Sequence, residues 1–243
     1  MNELAKRILE VEGVQSSANR RPRDAATLIV VDRTGPIPKV MLGKRHSAHA
    51  FLPGKFVFPG GRVEPSDRLM AVAAPLDTRV EVKLRREVSR ASHNSASALA
   101  LAAIRETFEE TGLLLGTRDY SARTAPAGPW REFVLHHVLP DLSVLHFIAR
   151  AITPPRYPRR FDTRFFAVDA SAIADRVDRV VHADAELVEL IWLPIAEVRQ
   201  LDILVITNVV LQELEARVSA GMRHDLPVPF YRMKHGNFIR AEL

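Results

Sequence analysis

Residues 97–111, SALALAAIRETFEET, constrain this chain more than any other stretch. They are rich in strong helix formers and free of proline, and Gly112 stands where a helix would stop. At about 100° per residue, Leu101, Ile104 and Phe108 gather on one side of that helix and Glu106, Glu109 and Glu110 lie nearly opposite. One face must enter a core while the other carries three carboxylates. Such a helix has to be laid against another layer of structure.

The flanking sequence supplies that layer. Residues 25–32 (AATLIVVD) and 39–42 read as strands joined by a turn at Gly35, Pro36 and Pro38. Residues 56–58 form a third short run, after which PGG at 59–61 is expected to break regular structure and open a loop. Residues 117–129 read as an exposed loop and 130–138 as a short helix; 144–152, 164–168 and 188–192 read as strands. Pro194 suits the first turn of a helix whose apolar positions Val198, Leu201, Leu204, Val205, Val209, Leu211 and Leu214 carry it to about residue 220. Strands and helices alternate without strict βαβ repetition, which predicts an α/β (α+β) sandwich with a mixed sheet.

The carboxylates carry the chemistry. Like charges at i, i+3 and i+4 repel, so they need full solvation or a compensating cation. Arg105 reaches one of them, Glu109 at i+4. Clustered hard oxygens suit Mg²⁺ or Mn²⁺, ions that bridge carboxylates to substrate phosphates; the alternative is a solvated acidic surface. The upstream segment FPGGRVEPSD, residues 58–67, adds two glycines that let backbone approach a ligand, together with Glu64 and Asp67.

These two segments together resemble the signature of the Nudix hydrolases: Gly, five residues, Glu, seven residues, then Arg-Glu, an aliphatic residue, any residue, Glu-Glu, any residue, Gly and an aliphatic residue. Arg105, Glu106, Glu109, Glu110, Gly112 and Leu113 occupy the specified positions, with Thr107 in place of the aliphatic residue. Gly61 matches the leading glycine, and Asp67 stands where the family has glutamate. Between Asp67 and Arg105 lie 37 residues instead of seven, so about 30 residues are inserted within the signature, inside 68–104. An interrupted signature of this kind is similar to that of the subgroup holding the vertebrate peroxisomal coenzyme A diphosphatases. The likeness continues through Pro129-Trp130, the ITP at 152–154 and RFDTRFF at 160–166.

The resemblance implies a Nudix-type α/β/α sandwich, a single domain over 1–243 with a helical insertion and a C-terminal helical extension over 194–243. It implies Mg²⁺ or Mn²⁺ held by Glu106, Glu109, Glu110 and Asp67, and hydrolysis of a diphosphate in coenzyme A or its thioesters. ADP-ribose or another nucleoside diphosphate derivative is the second substrate class, and a nucleotide-sensing module without turnover is the third reading. Glu109 would ligate or act as base through a bound water, Arg105 would hold Glu109, and Gly60 and Gly61 would bring backbone to the phosphates. Arg45, after the strand at 39–42, is a candidate phosphate contact, and Glu186 a candidate base; for each, a solvated surface position is the competing reading.

Composition removes other classes. Without cysteine there is no disulfide framework, thiolate metal site or cysteine nucleophile. No apolar run approaches the ~20 residues that span a bilayer, and residues 1–14 lack a signal-peptide form, so no membrane is expected and a cytoplasmic location is. The net charge of +5 is scattered among acids, which argues against nucleic acid. His46, His49, His136, His137, His146, His182, His224 and His235 show no metal-ligand spacing. Arg79, Lys83, Arg85, Arg86 and Arg90 in the insertion would form either a basic lid over an anionic substrate or a solvated helix balanced by Glu81 and Glu87. The expected partner is a small nucleoside diphosphate derivative. The long C-terminal helix leaves a homodimer open.

Overall fold

The computed structural model describes residues 20–48, 52–88, 96–121, 124–235 and 237–243. The N-terminal residues 1–14 discussed above, with His49 and Arg90, lie outside them. Strand β1 (Arg23–Asp32) sits inside a mixed sheet with β2 (Lys39–Arg45), β8 (His146–Ile152), β9 (Phe161–Asp169), β11 (Leu187–Pro194), β12 (Pro229–Lys234) and β13 (Asn237–Glu242). The strand order is β11-β2-β1-β9-β8-β12-β13. β1 runs parallel to β9, and β12 parallel to β8; the other neighbours on this path are antiparallel. Short strands β3 (Phe56–Val57) and β4 (Gly60–Arg62) pair with β2 and β1.

Leu28, Ile29 and Val30 of β1 are all fully buried, as a strand must be when both its faces are covered. Ala26, Leu28 and Val30 pack with Leu101, Ile104 and Phe108 of the helix α2 (Ala96–Thr111), so the apolar stripe read from the sequence is buried as expected. Ile29 and Val31 face the other way, into Val210, Leu211 and Leu214 of α5 (Val205–Ser219). Helix, sheet and helix thus form three layers, and α5 buries its apolar face on its own chain. Gly112 ends α2 at φ +78°, a left-handed conformation that glycine adopts without penalty.

The stretch between Asp67 and Arg105 contributes α1 (Thr78–Arg85), capped where the Asp77 side chain accepts from the Arg79 backbone N–H at 2.8 Å. Its cations are engaged locally. Arg79 pairs with Asp77 and Arg85 with Glu81, while Lys83 Nζ donates to the carbonyls of His224 and Leu226. Three of the five cations of the segment, Arg79, Lys83 and Arg85, are thus held by groups on or beside α1. Buried Arg150 on β8 donates to the carbonyls of Arg86 and Glu87, just past the end of α1, and to both oxygens of Asp162. That clamp ties the insertion to the sheet.

Three expectations change. PGG at 59–61 does not leave regular structure: Gly60 and Gly61 enter β4 opposite Thr27 and Ala26. A Cβ on Gly60 would lie 2.6 Å from the Ala26 carbonyl oxygen, so only glycine admits this close pairing. The helix expected from Pro194 to about residue 220 is broken. β11 runs through Pro194, α4 (Ile195–Val198) makes one turn, and α5 begins at Val205. The chain between is drawn to β3, because the Asp202 carbonyl accepts from Phe56 N–H at 3.3 Å and the Asp202 carboxylate holds Lys55 Nζ at 2.5 Å. The C-terminal extension is likewise not all helical, since β12 and β13 form a hairpin that lengthens the sheet. Its residues alternate sides, Phe230 entering one core cluster and Tyr231 and Phe238 the other.

Five further elements complete the frame near α2. The exposed stretch 117–129 begins as strand β6 (Thr117–Arg118), paired with β7 (Val138–Leu139). Helix α3 (Trp130–Leu135) lies between them and buries Trp130 and Phe133. β5 (Leu113–Leu115) leaves Gly112 to pair with β10 (Ile173–Arg176).

Candidate active site

The site forms where β4 meets the C-terminal half of α2. Arg105 is its hub, 1% exposed at the side chain. Nε donates to Asp67 Oδ1 at 2.7 Å and Nη2 to Asp67 Oδ2 at 3.2 Å; Nη2 also donates to the Arg62 carbonyl at 2.8 Å. Nη1 donates to Glu106 Oε1 and Glu109 Oε1, each at 3.0 Å. Sequence spacing foresaw only the Glu109 contact. Burial would lower the Arg105 pKa, but Asp67 and Glu106 reverse that, so the guanidinium holds its proton more firmly than a free arginine.

Asp67 does not join the exposed carboxylates. It is fully buried in the 3₁₀ turn Pro65–Arg68, where Oδ2 also accepts from the Glu64 N–H at 2.8 Å. Both its oxygens are thus engaged by Arg105 and the turn, which replaces the expected ligand role by one of positioning Arg105. Thr107, at the position where an aliphatic residue was anticipated, is buried and donates its hydroxyl to the Ala103 carbonyl at 2.8 Å.

Gly61 lies directly against Glu106; a Cβ there would overlap the carboxylate. Glu106 and Glu110 are both held in low-dielectric surroundings. Burial, with the charges of Glu109 and Glu186, pushes Glu106 up to about 7 despite Arg105. Glu110 is 7% exposed, and burial, reinforced by Glu186 and Glu106, raises it well above the usual carboxylate range. The Gly60 backbone N–H and Arg45 oppose that rise. Glu109 is the most open of the three helix acids, with its side chain 35% exposed.

Arg45 and Glu186 arrive from the sheet. The pairing of β2 with β11 sets Leu187 opposite Arg45, and His46 N–H donates to the Glu186 carbonyl at 3.1 Å. Arg45 Nη1 then pairs with Glu186 Oε1 at 2.9 Å. The structure therefore brings together Arg45, Gly60, Gly61, Arg105, Glu106, Glu109, Glu110 and Glu186. Nothing in the sequence links Arg45 to Glu186, because only strand register joins them.

Among the described residues, no three His, Asp or Glu side chains are already gathered as a ligand set. Two carboxylates nevertheless fit a cation. Glu110 Oε2 is buried with no hydrogen-bond partner, and the nearby carboxylate of Glu106 is pressed toward its protonated form. Hard oxygens of this kind, mutually repelling and short of donors, are matched by a divalent ion such as Mg²⁺ or Mn²⁺.

No family model matches the chain. A NUDIX hydrolase from Alicyclobacillus acidocaldarius superimposes with a TM-score of 0.61 at 29% identity, covering 85% of this chain and 96% of that one. The Caenorhabditis elegans protein named "Putative nudix hydrolase 7" is 26% identical over 183 residues, 70% of this chain. The present chain spans 51% of that relative's length. Three layers around a mixed sheet are the mixed α/β fold that this chain shares with the Alicyclobacillus enzyme. In fold and in the placing of these residues the chain is similar to the Nudix hydrolases. No helix among the described residues is long and apolar enough to cross a membrane.

Proposed function

We propose that this chain is a divalent-metal-dependent diphosphatase that cleaves the diphosphate linkage of a nucleoside diphosphate derivative. The observation that carries this reading is the partnerless, buried Oε2 of Glu110 beside Glu106, set against the backbone of Gly60 and Gly61. Glu106 and Glu110 would hold Mg²⁺ or Mn²⁺, with Glu109 beside them. Bound there, the ion would neutralise phosphate oxygens and lower the pKa of an attacking water.

The chain's own residues do the rest. Arg105 fixes the carboxylates of Glu106 and Glu109, so the acids stay oriented while substrate enters. Glu186, half exposed and steered by Arg45, accepts the proton of the attacking water. The water oxygen bonds to phosphorus, the bridging P–O bond breaks, and the leaving phosphate carries away the electron pair. Arg45 offers a guanidinium to the substrate phosphates, and its buried Nε lacks a partner within the protein.

Coenzyme A or an acyl-coenzyme A is the proposed substrate, supported by the interrupted signature and by RFDTRFF at 160–166. A cytoplasmic location and a small-molecule partner belong to the same reading. The test is a screen of purified enzyme with Mg²⁺ against coenzyme A, acyl-coenzyme A, ADP-ribose, NADH and nucleoside triphosphates. Preference for ADP-ribose would move the assignment to that substrate class. Glu110→Gln should abolish turnover with the fold retained; hydrolysis persisting at the wild-type rate would refute the metal site.

A further inference from the structure

The connection from α5 to β12, residues 220–228, is gripped from three sides by groups that the proposed reaction does not use. From α1, Lys83 Nζ donates to the carbonyls of His224 and Leu226 at 2.8 and 2.5 Å. From α5, the buried Arg217 donates to the carbonyls of Arg223 and Pro227 at 3.0 and 2.8 Å. From the start of β8, the His146 ring lies flat against that of His224, with centroids 4.4 Å apart and planes 14° from parallel. Lysine and arginine stay charged throughout the acid range, so the first two grips do not change there. The third depends on protonation.

Neither ring is placed to take a second proton. Nδ1 of His146 and Nδ1 of His224 are both sealed from solvent without a hydrogen-bond partner, so a proton added at either makes a charged donor with no acceptor. Two imidazolium rings held in this stack would also repel. Around His146 stand Arg33, Arg217 and Asp169; around His224 stand Asp77, Arg79, Lys83 and Arg217. The two acids are each paired with an arginine, Asp169 with Arg33 and Asp77 with Arg79, and Asp225 of the connection is paired with Arg223. Burial, then His224 and Arg217, hold His146 down to about 4.

We propose that the stacked pair of His146 and His224 is an acid-released latch, which on taking up a proton unstacks and lets residues 220–228 part from β8 and α1 while the sheet stays folded. A ring whose pKa is lower in the closed state than in the open one takes its proton on opening, so the latch is shut at pH 7 and opens as pH falls toward 4. Amide hydrogen exchange of the wild-type chain tests this. The N–H groups of Met222 and Leu243 donate to the carbonyls of Arg217 and Val228, at the two ends of the connection, at 2.9 Å each. Corrected for intrinsic exchange, their opening should rise at least about ten-fold between pH 7 and pH 4.5, the effect of one unit of pKa difference, and they should exchange well ahead of the amides of α2. His146→Phe and His224→Phe keep an aromatic stack without the proton, and each should remove most of that rise. A ring-proton NMR titration of the wild type follows the same event without a substitution, and both histidines should titrate below the ordinary value of about 6.5. Exchange that stays level across this range, that matches the rate of α2 throughout, or that still rises in both variants would overturn the latch, as would ring titrations at the ordinary value. None of these outcomes depends on whether the chain cleaves a diphosphate.

Discussion

Arg105 and Asp67 form a two-pronged ion pair sealed from solvent, with 1% and 0% side-chain exposure. The pair joins the 3₁₀ turn after β4 to the carboxylate helix across 37 intervening residues. Replacing Asp67 by Asn should remove the charge that faces Arg105 Nε and Nη2 while Glu106 and Glu109 still face Nη1, a loss of about 1–3 kcal/mol, measurable by chemical denaturation. The variant should still bind Mn²⁺, because Asp67 holds Arg105 and is not a ligand. A fully folded Asp67→Asn protein that no longer binds Mn²⁺ would return Asp67 to the ligand set.

Gly61→Ala tests the contact with Glu106. The added methyl would displace a carboxylate end, not backbone, so the fold should survive while kcat falls by about a hundred-fold, the scale of a misplacement near 1 Å. An unchanged kcat would show that the cradle is looser than described.

Gly112→Ala probes backbone instead. At φ +78° the new Cβ would strike the Val177 carbonyl, and the expected loss is about 1–3 kcal/mol, equivalent to about 2–4 °C in Tm per kcal/mol. Catalytic constants of the folded fraction should stay near wild type.

Metal should stabilise the wild type. A divalent ion at a hundred times its Kd adds about 2.7 kcal/mol, read as a rise in Tm on adding Mn²⁺. Glu110→Gln should lose most of that rise, since it removes the partnerless buried oxygen's charge. Equal shifts in both proteins would place the ion elsewhere.

His146 and His224 stack with centroids 4.4 Å apart and planes 14° from parallel. Burial, then His224 and Arg217, push His146 down to about 4, and burial also lowers His224. Arg33 adds to the push on His146 and Asp169 opposes it; Asp77 opposes the shift of His224, while Arg79, Arg217 and Lys83 support it. A folded-state pKa below the unfolded value means stability is complete above about pH 6.5 and is lost as pH falls toward 4, on the order of 3 kcal/mol at most. His146→Phe should flatten that acid limb in melts between pH 4 and 7. A variant as acid-sensitive as wild type would assign the limb to other groups.

Helix and strand types were legible wherever one period dominated. Residues 97–111 carry their own stop in Gly112, and β1 its own β-branched run. The break in the C-terminal helix was invisible because the apolar period continues through Leu201 and Leu204, while the forces that break it come from Lys55 and Phe56, far away in sequence. The site shows the same division. Glu106, Glu109 and Glu110 follow from spacing on one helix, but Asp67 looks like one more carboxylate until the turn and Arg105 are seen to enclose it. The facing of Arg45 and Glu186 depends on register between β2 and β11, which no local pattern encodes.

The fastening of Asp67 to Arg105 separates chain length from site geometry. For a flexible chain, closing a loop of 37 residues costs only about 1.5 kcal/mol more than closing one of seven, less than the several kcal/mol at stake when a buried ion pair is broken. Side chains therefore hold the glycine strand and the carboxylate helix to each other across that distance, independently of the route the backbone takes between them. Contact in space, not spacing along the chain, is what sets Asp67 beside Arg105.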